Sequence, residues 1–162
     1  MQAAAQSLSC MFSVIMAGGW GSRLAPFTSS EMGKQFKAIT NPETTMIQET
    51  FRRLTGTDAS KTFIDPSRIL VSTNAGYVGL VQEQIPEIPE GNVIGEPMMR
   101  NTAPAIAMLM KHLVDRDLNA IAAVLPADHL IDSAEVFRSG WQRLHDSVHD
   151  RLVGRRRMGI YR

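Results

Sequence analysis

The feature that most constrains this chain is an apolar run, Phe12–Met16, that passes through Ala17 directly into Gly18, Gly19 and Gly21. A short, continuous apolar segment suits a strand buried on both faces, the usual state of a strand inside a parallel sheet. The glycines make the turn after it unusual. Without Cβ atoms, successive backbone N–H groups can turn toward one point and admit an anion. Two cations follow, Arg23 and Lys34, and supply the charge a triphosphate needs. Strand, glycine turn and cations together point to nucleotide phosphate chemistry.

Neither of the two commonest phosphate loops fits. A Walker A loop requires Gly, four residues and then Gly-Lys-Ser/Thr. Here Gly33-Lys34 is followed by Gln35, and Thr28 stands where the first Gly should be. The dinucleotide fingerprint requires a third Gly three residues after the second. That position is Leu24, which argues against a nicotinamide-dependent dehydrogenase.

The rest of the chain alternates strand and helix patterns, predicting an α/β fold: a three-layer α/β/α sandwich around a mainly parallel, Rossmann-like sheet. Ile47, Phe51 and Leu54 recur at helical spacing, with Thr45 and Gln48 as a capping box and Gly56 as a stop. Arg68–Thr73 reads as the second strand, Tyr77–Ile85 as a helix halted by Pro86, and Asn92–Gly95 as a short third strand. Ile106, Leu109, Met110 and Leu113 form the expected inner stripe of the next helix, and Ala120–Leu125 the fourth strand. In open α/β sheets ligands sit outside the carboxyl ends of the strands. The glycine turn, the segment from Arg100 to Ala103 and Asp128 should therefore converge on one edge.

Composition excludes several classes. An apolar content of 44% is ordinary for a globular domain, and no run reaches membrane-spanning length. Met1–Met11 has neither a basic start nor a sustained apolar core, so it does not read as a signal peptide. The single cysteine, Cys10, excludes an internal disulfide and fits a reducing cytoplasm. Residues 1–137 carry a net charge of −4 and residues 138–162 one of +5. The basic end includes Arg155, Arg156 and Arg157 but no interleaved aromatics, so a solvated or disordered tail is expected rather than a nucleic-acid surface. The expected division is a flexible terminus (1–11), a nucleotide-binding part (12–137) and a divergent basic tail (138–162).

Ala17-Gly18-Gly19-x-Gly21-Ser22-Arg23-Leu24-x-Pro26, with Lys34-Gln35-Phe36 after it, resembles the signature of the sugar-nucleotide pyrophosphorylases. Glu96-Pro97, Arg100-Asn101-Thr102-Ala103-Pro104-Ala105 and Leu125-Pro126-Ala127-Asp128-His129 resemble the further motifs of their mannose-1-phosphate guanylyltransferase branch, in the same order. The resemblance covers residues 12 to 137 and implies a sheet of the nucleotide-diphospho-sugar transferase type. It also implies GTP and mannose 1-phosphate as substrates, Mg²⁺ as cofactor, and a cytoplasmic enzyme acting on neither membrane nor nucleic acid; a homo-oligomer stays open. By this likeness Ala17, Gly18, Gly19, Gly21 and Ser22 cradle phosphates, Arg23 holds the leaving pyrophosphate, and Lys34 neutralises charge at the reacting phosphoryl group. Asp128 holds the metal, Arg100 binds the nucleotide, and Asn101, Thr102 and Ala103 line the pocket for its base.

Plainer roles stay open beside these. Lys34 could be a surface lysine, Asp128 could cap its own turn, and Asn101 could cap a helix. His129 is expected to be structural or to support a ligand from behind.

Departures from the pattern also carry expectations. Ala25 stands where the family has Trp and Gly33 where it has Pro, which should loosen the loop and Lys34 with it. After Phe137 the likeness fades, and the family's later sugar-binding motifs and second metal-binding Asp do not occur. The chain thus reads as the N-terminal part of such an enzyme, truncated or frame-shifted. The competing readings are an enzyme for a different sugar 1-phosphate or base, and a non-catalytic nucleotide-binding subunit.

Overall fold

The structure is a computed structural model that describes residues 11–19, 21, 28, 32–56, 62–98 and 100–157, with only the backbone considered from 149 onward. Four strands form one sheet: β1 (Met11–Ala17), β2 (Ile69–Asn74), β3 (Val93–Glu96) and β4 (Ile121–Pro126). Their order is β3-β2-β1-β4, and every pairing is parallel. The register sets Ala17 beside Thr73 and Met16 beside Pro126, so the strands end together on one edge.

Four helices cover the two faces: α1 (Met46–Thr55), α2 (Val78–Gln84), α3 (Thr102–Arg116) and α4 (Ala134–Arg157). Alternation along β1 divides the core in two. Met11, Ile15 and Ala17 pack with Ile47, Phe51 and Leu54 of α1, Val81 of α2 and Trp141 of α4. Phe12 and Val14 turn the other way and meet Leu109 and Leu113 of α3. This is the expected three-layer α/β arrangement. Val14 and Ile15 are fully buried, as a strand flanked on both sides and both faces must be.

Local signals act as their chemistry requires. The Gln48 carbonyl accepts the Thr45 N–H at 3.0 Å, and Gly56 ends α1 at φ 101°, a region closed to most side chains. The inner stripe of α3 differs from expectation. It runs through Ala105, Leu109 and Leu113, while Ile106 and Met110 are only partly buried.

The basic end also differs. A single helix runs from Ala134 to Arg157, through the boundary drawn after Phe137. Phe137 packs against the core at partial burial, and Trp141 and His145, one turn apart, are 8% and 6% exposed. The Arg138 guanidinium donates to the carbonyls of Arg52 (3.1 Å) and Arg53 (3.0 Å); the first also accepts the Gly56 N–H at 2.8 Å, so Arg138 reinforces the last turn of α1. A solvated tail is thus corrected to a packed helix at least through residue 148; residues 158–162 lie outside those described.

β4 is an edge strand. Its residues are apolar throughout, yet they are half-buried, with Val124 exposed.

Candidate active site

The carboxyl edge gathers its groups from three chain segments. At the end of β1, the Ala17 carbonyl receives two side-chain donors, the Gln35 amide at 2.6 Å and the Thr73 hydroxyl at 2.9 Å. Gly18 follows, and a Cβ there would lie 3.4 Å from a carboxylate oxygen of Glu96. Among the described residues, nothing lies within 4 Å of a Cβ built on Gly19. Gly21 has φ 74°, and a Cβ on it would press to 3.1 Å against the Lys34 stem. Glycine is therefore needed at 21 twice over, for backbone conformation and for room. The Thr28 hydroxyl donates to the Gly21 carbonyl at 2.7 Å.

Lys34 opens a single 3-10 turn, Lys34–Phe36, closed by the Phe36 N–H on the Gly33 carbonyl at 3.1 Å. The turn is held from below by Gln35 and Phe36, both buried. Its ammonium pairs with the Asp128 carboxylate, the two side chains being 30% and 28% exposed. Gly33 is not slack: a Cβ there would fall 2.7 Å from the Gln35 amide and 2.8 Å from the Gly19 carbonyl. The expected loosening at this position is corrected to close packing that only glycine permits.

Asp128 is aimed by the residue before it. The Ala127 N–H donates to the Met16 carbonyl at 3.0 Å, and the Thr50 hydroxyl donates to the Ala127 carbonyl at 3.2 Å. Two residues on, the His129 carbonyl accepts from Arg53 at 3.2 Å, so His129 contributes its backbone to the support. Burial pushes the Asp128 carboxyl up, but the hydrogen bond and charge of Lys34 outweigh it, and its pKa lies below the ordinary 3.8.

At the mouth of α3, Asn101 sits in the N-cap position without a side-chain cap bond. Its backbone, at φ 64° and ψ −176°, occupies a region that is almost exclusive to glycine. The plain capping role is corrected: the Asn101 side chain is exposed instead. Thr102 and Ala103 are exposed beside it, and the Arg100 Nε–H donates to the Met98 sulfur at 3.3 Å. Among the described residues, no hydrogen bond or ion pair joins this segment to Lys34 or Asp128. Ser22 and Arg23 lie outside the described residues.

Three residues of this edge carried no role in the sequence reading. Glu96, 7% exposed, accepts the Ser72 hydroxyl at 2.8 Å beside Gly18, while Gln35 and Thr73 converge on Ala17. Glu96 and Gln35 stood inside the motifs Glu96-Pro97 and Lys34-Gln35-Phe36 with no role attached, and Thr73 only within a strand. As to a metal, no group of three or more His, Cys, Asp or Glu side chains assembles among the described residues. Asp128 offers a hard carboxylate donor, of the kind a divalent cation takes together with phosphate oxygens and water.

An all-parallel sheet with helices on both faces, and a glycine turn, a lysine and a carboxylate at its carboxyl edge, defines an α/β domain of the Rossmann-like kind. The chain belongs to the nucleotidyl transferase family, whose model matches residues 12–146. Among similar proteins, mannose-1-phosphate guanylyltransferase 2 of Escherichia coli O157:H7 is 40% identical over 131 residues, covering 78% of this chain and 26% of that protein. Mannose-1-phosphate guanylyltransferase of Salmonella muenchen is 40% identical over 136 residues, covering 80% and 27%. The alginate biosynthesis protein AlgA of Pseudomonas putida is 37% identical over 130 residues, covering 79% and 25%. The chain thus spans about a quarter of the length of these relatives. The crystal structure of mannose-6-phosphate isomerase from Helicobacter pylori shares the fold, with a TM-score of 0.59 at 22% identity, covering 84% of this chain and 45% of that one.

Proposed function

We propose that the chain binds GTP at the carboxyl edge of its sheet and serves nucleotidyl transfer to mannose 1-phosphate. The observation that carries this reading is the Lys34–Asp128 pair set beside the glycine turn. It couples a cation for phosphate with a carboxylate for a divalent metal, in a family whose named relatives include mannose-1-phosphate guanylyltransferases.

In the proposed reaction a phosphate oxygen of mannose 1-phosphate forms a bond to the α-phosphorus of GTP. The bond from that phosphorus to the β-phosphate bridging oxygen breaks, giving GDP-mannose and pyrophosphate. No covalent enzyme intermediate is needed, so the work is positioning and charge neutralisation. The amides of Gly18, Gly19, Gly21 and Ser22 hold phosphate oxygens, and Arg23 holds the leaving pyrophosphate through its planar fork of donors. Lys34 leaves Asp128 for the reacting phosphate. Asp128 holds Mg²⁺, which when bound offsets phosphate charge. Arg100, Asn101, Thr102 and Ala103 contact the nucleotide at its base, and the strained Asn101 presents its amide outward. The described residues contain no helix long and apolar enough to cross a membrane, and cytoplasmic action is part of the proposal.

Calorimetric titration with GTP and then ATP, each with and without Mg²⁺, tests it. Magnesium-dependent binding that favours GTP, followed by pyrophosphate release with mannose 1-phosphate, is the expected result. A folded chain that binds neither nucleotide overturns the reading. Binding without turnover would favour a nucleotide-binding subunit.

A further inference from the structure

The Ala17 carbonyl stands where β1 gives way to the glycine turn, and two side chains from separate segments are spent on it. Gln35 is 2% exposed, and its amide nitrogen lies 2.6 Å from that oxygen. A carbonyl only accepts, so the NH₂ group must face it, and the orientation of the amide is fixed. Thr73, fully buried on β2 and in register with Ala17, donates its hydroxyl at 2.9 Å. A peptide unit is planar, with its C=O and N–H pointing opposite ways. Whatever holds the Ala17 carbonyl therefore holds the Gly18 N–H.

We infer that Gln35 and Thr73 are positioning residues that set the Ala17–Gly18 peptide plane, and with it the first N–H of the phosphate-binding turn. Glycine on the far side of that peptide leaves it free to rotate, and the two donors remove the freedom. Gln35 has a second effect through the chain. It shares the 3-10 turn with Lys34, so one buried anchor fixes both the turn's first amide and the lysine opposite Asp128. An oriented dipole is useful to an anion only when it need not reorganise on binding. The packing at Gly33 belongs to the same device, because any Cβ there would strike the Gln35 amide.

The link to affinity rests on the proposed nucleotide reading; the link to the Gly18 amide does not. Three variants separate them: Gln35→Met and Thr73→Val, which remove a donor at similar volume, and Thr73→Ser, which keeps the hydroxyl. Backbone order at Gly18 and Gly19 is measured by nitrogen-15 NMR relaxation on the unliganded chain, and GTP affinity by calorimetry. In Gln35→Met and Thr73→Val, the order parameter of the Gly18 amide should drop and GTP affinity should fall by about fivefold, the size of one lost hydrogen bond. Thr73→Ser should behave as wild type. Asn92→Ala, which breaks a buried network at the opposite end of the strands, serves as the control for general destabilisation. It should lower Tm and leave both readouts unchanged.

If Gln35→Met and Thr73→Val lower Tm like the control and leave the order of the Gly18 amide unmoved, the inference is wrong and both residues merely pack. If the wild-type chain binds no GTP, the functional reading fails, and the order of the Gly18 amide alone still decides the inference. Should Gln35→Met not fold, the Thr73 pair carries the test.

Discussion

Lys34 and Asp128, 94 residues apart in sequence, meet as an ion pair that joins the turn behind the glycines to the end of β4. The contact makes the electrostatics of the carboxyl edge a property of the folded chain, since neither partner has the other nearby in an extended one. It also sets a sign. Asp128 has its pKa lowered on folding, so it binds fewer protons in the native state near that pH than in the unfolded one.

The contribution of this carboxylate to stability is therefore present above its unfolded value of 3.8 and is lost as pH falls through the lower native one. Carbon-13 NMR titration of Asp128 should place its midpoint below 3.8 in the wild type. In Lys34→Met the burial that opposes ionisation stays while the favourable charge goes, so the midpoint should move up. An unchanged midpoint would mean that the pair does not persist in solution.

Gly21→Ala should destabilise the chain by about 1–2 kcal/mol, because an L residue is forced to positive φ. The added methyl also meets the Lys34 stem, so GTP affinity should fall in the same variant. Urea unfolding and nucleotide titration together test both halves. A fall in stability with affinity intact would separate the Gly21 backbone from the site.

At Asn101 the expected direction reverses. Relieving a residue held in a glycine-like conformation should stabilise the chain by about 1 kcal/mol in Asn101→Gly, seen as a raised Tm. GTP affinity should drop if the exposed amide serves the base. A variant both more stable and equally tight would show that the strain has no function in binding.

Trp141→Ala should cost about 3–5 kcal/mol, the usual loss for a large buried aromatic. A chain ended after Phe137 should lose Trp141 and the Arg138 bonds to α1 together, and should fail to melt cooperatively. Thermal unfolding followed by near-ultraviolet circular dichroism is the direct check. Unaltered melting would return residues beyond 137 to the status of a tail.

The layers and the positions of the strands along the chain were largely legible because they depend on periodicity. Phe12–Met16 is continuously apolar, and Ile47, Phe51 and Leu54 keep helical spacing, so burial follows from pattern alone. Glycines followed by a lysine, and an aspartate after a strand, can likewise be seen without coordinates. Gln35, Thr73 and Glu96 could not be assigned that way. Each acts by turning one polar atom toward a partner on another segment, and such contacts leave no period in the sequence. The packed helix past Phe137 was obscured for a different reason. Seven arginines among residues 138–162 dominate the composition, while the burial there rests on Trp141 and His145 at a spacing of four.

The position of β1 between β2 and β4 has a consequence for motion. A central strand, paired on both sides and buried on both faces, opens only when the whole domain does. The glycine turn hangs from that strand. Amides such as that of Ile15 should then exchange only through global unfolding, and the Ala17–Gly18 peptide is anchored to that same closed frame. The amide offered to a phosphate is thus tethered to the segment that moves least, and an anion can be taken up without the sheet opening.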